Sequence, residues 1–195
     1  MFESDFMDRF TRVHPAVPVL IFGPVIALLA AVGIDRLGFG AMLAWIAGGY
    51  VFWTLTEYWL HRVVFHFEPE RGFGRRLHWM IHGVHHDHPN DPLRLVMPPS
   101  ASIPLASVFL TLFWFALGSG RWAAFGAGFL VGYLAYDMLH YHVHHHVPRT
   151  RLGRTLRELH MRHHFQDDER GFGVSAPYWD YVFGTAPQRR RRATS

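Results

Sequence analysis

Residues 39–66 read FGAMLAWIAGGYVFWTLTEYWLHRVVFH. From Phe39 to Leu60 the only charge is Glu57, and the run then gives way to His61 and His66. As a helix, rising about 1.5 Å per residue, this stretch spans the roughly 30 Å hydrocarbon core of a bilayer. It is apolar around its whole circumference, as a helix facing lipid must be and an amphipathic surface helix is not. A membrane segment that ends in histidines sets the terms for the rest of the chain.

Working outward, the pattern repeats. Upstream, Ala16 to Ile34 (AVPVLIFGPVIALLAAVGI) carries no charge. Downstream, Ala101 to Leu117 and Trp122 to Leu139 are joined by Gly118-Ser119-Gly120-Arg121 and read as a helical hairpin. Gly and Pro inside these runs are tolerated in lipid-embedded helices. The expected fold is all-α: a polytopic membrane protein with four transmembrane helices at about 16–34, 39–60, 101–117 and 122–139. A cytoplasmic, histidine-rich helical cap should cover one end. Residues 1–185 are expected to form a single domain, with 186–195 an Arg-rich tail. Four such runs in a soluble protein would leave too little polar surface for solubility.

Composition narrows the chemistry. The 195 residues are 50% hydrophobic and 17% charged, with a formal charge of +4, 16 histidines and no cysteine. A disordered chain, a disulfide scaffold, a thiolate metal site and a cysteine nucleophile are all excluded. The basic residues do not interleave with a nucleic-acid recognition module, so no nucleic-acid partner is expected. The positive charge suits a membrane surface instead. The first fourteen residues carry Glu3, Asp5 and Asp8 where a secretory signal would be basic, so no signal peptide is expected.

Orientation follows from arginine. The links after the first and third spans hold only Asp35 and Arg36, and Arg121, whereas segments 62–100 and 140–195 hold most of the rest. The positive-inside rule puts both large polar segments, and both termini, in the cytoplasm. Arg189-Arg190-Arg191-Arg192 then lies near anionic headgroups.

Fifteen of the sixteen histidines fall between 61 and 164. His61 and His66 stand in HRVVFH. His82, His85 and His86 stand in HGVHH, His140 and His144 in HYHVH, and His160, His163 and His164 in HMRHH. Spacings of three and four put imidazoles on one helical face, so each group offers two or three to one point. The interval of five between His61 and His66 fits an α-helix poorly and puts one of them at or beyond the helix end. Crowded neutral imidazoles leave polar nitrogens unsatisfied, and crowded imidazolium ions repel; a transition metal resolves both problems. One ion takes four to six ligands, so about ten convergent histidines imply two ions. Nitrogen ligation without thiolate suits Fe, Zn or Cu and disfavours Mg and Ca.

The other histidines read differently. His14, His88 and His142 are surface or packing residues, and His78 is a residue supporting the ligands. His145 and His146 point about 100–200° around the helix from His140 and His144. Glu57, four before His61, and Asp137, three before His140, are placed to accept the second N–H of those imidazoles, with Asp167 and Asp168 able to do the same. Trp79, Trp179 and Tyr181 read as an interfacial aromatic belt.

The stretches EYWLHRVVFH (57–66), HWMIHGVHHDHPNDPLRLVMPP (78–99), YDMLHYHVHH (136–145) and LHMRHHFQDDERGFGVSAPYWDYVFGT (159–185) resemble the fatty acid hydroxylase / sterol desaturase superfamily. RLVMPP, GFGVS and WDYVFGT bring the resemblance closest to the fatty acid 2-hydroxylases. The resemblance implies a membrane-bound di-iron oxygenase that uses O2 and two electrons to hydroxylate the carbon next to an acyl carboxyl or amide. It implies metal ligation by His61, His66, His82, His85, His86, His140, His144, His160, His163 and His164, with no catalytic residue beyond the ligands. Iron is the implied metal, with zinc able to replace it on purification.

Eukaryotic 2-hydroxylases carry an N-terminal b-type haem domain. No haem motif precedes the first span here, so the expected electron source is a separate electron-transfer protein. A bacterial inner membrane is expected rather than the endoplasmic reticulum. The competing readings are a sister oxygenase acting on a sterol or carotenoid, and a non-redox zinc-binding membrane protein. A zinc hydrolase would want an H-E-x-x-H string, which the sequence lacks.

Overall fold

The computed structural model describes residues 12–67, 74 and 83–187, and every structural statement concerns these. His82, His78, Trp79 and the Arg-rich tail from 188 onward lie outside them. No β-strand occurs among the described residues. The long helices are α1 (Ala16–Leu37), α2 (Phe39–Trp59), α4 (Pro99–Leu117) and α5 (Arg121–His145); shorter ones are α3 (Val84–Asp87), α6 (Arg151–Phe165) and α7 (Tyr178–Val182). All four long helices, α2 together with its extension to Phe65, have the length and apolarity to cross a membrane. The helices outrun the apolar runs. The second continues through a π-helical turn, Leu60–Phe65, and the fourth passes Leu139 to reach His145.

Two glycine turns make two hairpins. Gly38, at φ 77°, is the whole link between α1 and α2, while Gly118 (φ 69°) and Gly120 (φ 80°) bound the link between α4 and α5. An L-residue side chain is strained at these angles, which is why glycine stands there. The turns are neighbours, since a Cβ on Gly120 would come within 2.5 Å of the Arg36 Cβ. Both hairpins therefore turn at one end of the bundle, and the described histidine-bearing segments that follow α2 and α5 meet at the other.

Helix α5 is the axis. In its membrane window 61% of residues are buried, against 28% or less in the other three, so the others wrap it and face outward. Small residues let α2 and α5 approach backbone to backbone. A Cβ on Gly128 would overlap the carbonyl oxygen of Ile46, and one on Gly49 would overlap that of Phe125. This is the close packing that membrane helices use in place of a hydrophobic driving force. Trp53 fills the next layer, with Phe129 and Tyr133 edge-on at 5.0 and 5.5 Å. The outward faces carry Leu20, Leu28, Leu43, Val51, Leu112 and Phe115, all exposed. Such a surface is stable only against lipid.

Helix α6 is of another kind. Thr150 caps it by accepting from Gly153 N at 3.0 Å, and Leu156, His160 and His163 form its buried stripe. Its arginines stand mostly on the opposite side. It lies across the end of α5 and closes the histidine-bearing end of the bundle.

Candidate metal centre

Nine histidines converge there in two groups. His85, His140, His144, His160 and His164 form one; His61, His66, His86 and His163 form the other. Within each group one nitrogen per ring lies within 4.8 Å of all the rest. The groups adjoin, with the His86 and His164 rings 4.3 Å apart. Every predicted ligand among the described residues is in one group or the other, and His82 lies outside those residues. His14, His88, His142, His145 and His146 belong to neither. His14 instead accepts from Ala16 N at 3.2 Å at the start of α1.

The division differs from the expected one, in which each sequence cluster serves one point. His85 and His86 are split between the groups, and His163 and His164 are split likewise. Consecutive helical residues diverge by about 100°, so a neighbouring pair straddles two centres while His160 and His164, four apart, share one. Two doublets in sequence thus become the hinge between two sites.

The interval of five is met by a change of helix. Around Leu60–Phe65 the backbone widens to π geometry, and His66 N donates to His61 O at 3.2 Å. In that wider turn residues five apart come onto one face, and the two Nε2 atoms lie 3.3 Å apart.

The nitrogens meet in a way that suits a cation. His61 Nδ1 donates to the Phe172 carbonyl at 2.6 Å, and His163 Nδ1 donates to that of Arg170 at 2.8 Å. A carbonyl only accepts, so the proton of each neutral ring sits on Nδ1 and Nε2 presents a lone pair. Both lone pairs face His66 Nε2, at 3.3 and 3.1 Å. That atom has at most one hydrogen to give. In the other group His160 Nε2 lies 2.8 Å from His144 Nε2 and 3.1 Å from His164 Nε2, with His85 Nε2 at 3.1 Å from the last. There His140 Nε2 is buried with no hydrogen-bond partner. Burial pushes His85, His160, His163 and His164 below the ordinary imidazole range, and neighbouring imidazoles add to it at His85, His160 and His164. The rings are held neutral, the form that binds metal. The donor set fits two borderline transition ions such as iron or zinc.

The acids do other work than expected. Glu57 accepts from Ser175 N at 2.7 Å and from the Ser175 hydroxyl, and Asp137 accepts from Met97 N at 3.2 Å and Tyr133 Oη at 3.3 Å. Neither carboxylate holds an imidazole; each ties a polar segment to a membrane helix. The carbonyls of Phe172 and Arg170 support the rings instead, and sequence gives no sign of them because every residue has a carbonyl. Asp180 was also missed. Buried and 1% exposed, it accepts from Phe172 N (2.9 Å), Gly173 N (2.9 Å) and Thr185 Oγ1 (2.8 Å), fixing the loop that supports His61. Trp179 and Tyr178 both donate to Thr54 Oγ1, at 3.1 and 2.8 Å, while Tyr181 is exposed as a belt residue would be.

Fold and site together define an integral membrane protein with paired histidine groups at one end of a helical bundle. Residues 46–185 match the model of the fatty acid hydroxylase family, and the chain belongs to that family. Membership makes it an oxidoreductase of the hydroxylase type. It is 39% identical over 189 residues to a dihydroceramide fatty acyl 2-hydroxylase of Arabidopsis thaliana, covering 95% of this chain and 79% of the relative. It is 37% identical to a ceramide very long chain fatty acid hydroxylase of Saccharomyces cerevisiae, covering 93% of this chain and 48% of that protein. Among solved structures, the hydroxylase domain visible in full-length scs7p superposes with a TM-score of 0.90 at 33% identity, over 98% of this chain and 73% of that one. The expected resemblance is borne out. The bacterial membrane expected above gains no support from these relatives, which are eukaryotic.

Proposed function

We propose that this chain is a membrane-bound 2-hydroxylase of fatty acyl chains, working with two iron ions, O2 and two electrons from a separate carrier. The observation that supports it most is the meeting of two sets of imidazole nitrogens at one end of a lipid-facing bundle. His85, His140, His144, His160 and His164 would hold one ion, and His61, His66, His86 and His163 the other; His82 is a further candidate ligand from the sequence. When bound, the pair supplies the redox chemistry that puts one oxygen atom of O2 on an unactivated carbon.

The chain's own residues contribute position and dryness. Phe172 and Arg170 carbonyls fix the tautomers of His61 and His163, so both rings keep their lone pairs inward. Phe65 and Phe172 are buried against the rings and exclude water. The arginine asymmetry supports a cytoplasmic site, within reach of a soluble or peripheral electron donor. The acyl carboxyl or amide would stay at the polar end while the tail remains in the apolar bundle, which brings the adjacent carbon to the ions.

The test is reconstitution. Iron-loaded protein in lipid, given O2 and a chemical reductant, should form 2-hydroxy acyl products by mass spectrometry, and His140→Ala should abolish them. Hydroxylated sterol or carotenoid without 2-hydroxy acyl chains would move the reading to a sister oxygenase. Two bound zinc ions and no oxygen uptake after iron reconstitution would refute it.

A further inference from the structure

Three hollows lead from the histidines to the lipid-facing side, each sharing a lining residue with the next. The first touches the metal centre and is lined by Phe65, His85, Met97, Tyr136 and His140. The second lies inside the bundle, among Met97, Leu105, Ala106, Phe109 and Leu130. The third is an open groove between α2 and α4 on the lipid-facing side, among Phe52, Leu55, Trp59, Val63 and Phe109. Met97 is the wall between the first and second. Phe109 is the wall between the second and third. The inner two enclose about 20 and 10 Å³, room for about one water each, while the groove offers about 420 Å³.

We propose that these hollows are one acyl-tail path closed at two points, and that Met97 and Phe109 set which chain lengths are hydroxylated. The inference rests on the 2-hydroxylase reading and adds the residues that select within its substrate class. The occupant is an acyl tail because the path starts in lipid, is apolar through the groove and the second hollow, and turns polar only where it ends beside Asp137, His85 and His140, where a carboxyl or amide head would lie. Both walls can move without unfolding anything. Met97 has its backbone N–H tied to Asp137, so opening requires only rotation of an unbranched side chain with three rotors. Phe109 is half-buried and rests on Phe129 at 4.8 Å, with its other side toward the groove. Tail atoms beyond the second wall lie in the groove, so the room at Phe109 decides how a long chain passes.

Two measurements test this. First, a long acyl chain carrying a diazirine is photolysed in membranes holding the intact protein, and labelled residues are mapped by mass spectrometry. Labels at Met97 or Leu105 support the path; labels confined to groove residues such as Leu55, Val63 and Phe109 overturn it. Second, 2-hydroxy products are resolved by chain length for Phe109→Ala, Phe109→Trp and Met97→Ala. Because one methylene in an apolar pocket is worth about tenfold in discrimination, Phe109→Ala should shift the long-to-short product ratio upward by about that factor and Phe109→Trp downward. An equal change at all lengths overturns the proposal. If the unsubstituted protein forms no 2-hydroxy product, the functional reading fails, and the labelling pattern still decides the path.

Discussion

His61 Nδ1 lies 2.6 Å from the carbonyl oxygen of Phe172, although 111 residues separate them. The contact joins the end of a membrane helix to a loop near the end of the chain, and it sets the tautomer of an imidazole in the four-histidine group. The loop keeps its shape because Asp180 binds the N–H groups of Phe172 and Gly173 and the hydroxyl of Thr185, which also meets Tyr58 Oη at 2.9 Å. A carboxylate that touches no metal-facing nitrogen thus orients a ring that does.

Asp180→Ala should therefore weaken the four-histidine group more than the other. Three donors lose their acceptor, at a cost of about 2–3 kcal/mol, visible as a lower Tm in detergent. Supporting groups of this kind change metal affinity by about 10–100-fold, so titration with a divalent ion should show one weakened site and one unchanged. Asp180→Asn keeps one acceptor oxygen and should fall between. Equal loss at both sites would mean that the loop serves the whole fold rather than His61.

The split doublets make a sharper prediction. His85→Ala and His86→Ala should each lower bound metal from about two ions to about one, at different sites, and the double substitution should lose both. His85→Ala combined with His164→Ala strikes one group twice and should lose little more than either alone. Metal analysis of the three single and two double variants decides it. If His85→Ala with His86→Ala still retained one ion, the doublet would serve a single site.

Much of this was legible in the sequence, and what was not has a physical reason. The four spans were plain because lipid demands apolar residues around a whole helix. The histidines were plain because their number and spacing have few other causes. Their allocation was hidden, since periodicity places His85 and His86 on different bearings without saying what lies along each. Glu57 shows the limit best. Its position four before His61 predicts a shared face, which it has, yet its oxygens go to Ser175, a residue 118 positions away. A buried carboxylate takes the strongest donors brought to it by tertiary structure, and local spacing does not contain them. The π-helical turn was signalled only by a misfit, the five-residue interval.

Gly128 should be among the least replaceable residues outside the centre. A Cβ there would overlap the Ile46 carbonyl, so Gly128→Val must push α2 from α5. Overpacking of this kind costs about 1–3 kcal/mol, or more against rigid backbone. Because the π-helical extension of α2 carries His61 and α5 carries His140, metal content should fall together with Tm. Gly23→Ala is the control, as nothing lies within 4 Å of a Cβ at that position. A Gly128→Val protein with unchanged Tm and metal content would refute the close approach of the two helices.

Acid should separate the metal-free from the metal-loaded protein. His85, His160, His163 and His164 have their folded values lowered, chiefly by burial, so below the ordinary value of about 6.5 the unfolded chain takes up protons that the folded chain refuses. Stability then rises with pH, is fully present above that value, and is lost as pH falls through it. The metal-free protein should hold its Tm down to about pH 7 and lose it progressively from there to about pH 5.5. Bound ions occupy the lone pairs that protons would take, so the loaded protein should hold its Tm to lower pH and then fall as the ions leave. Thermal melts of both forms across this range, with released metal measured in parallel, check the sign and the order of events. A metal-free protein whose Tm is flat from pH 7.5 to 5.5 would show that the rings already stand in water, which their burial forbids.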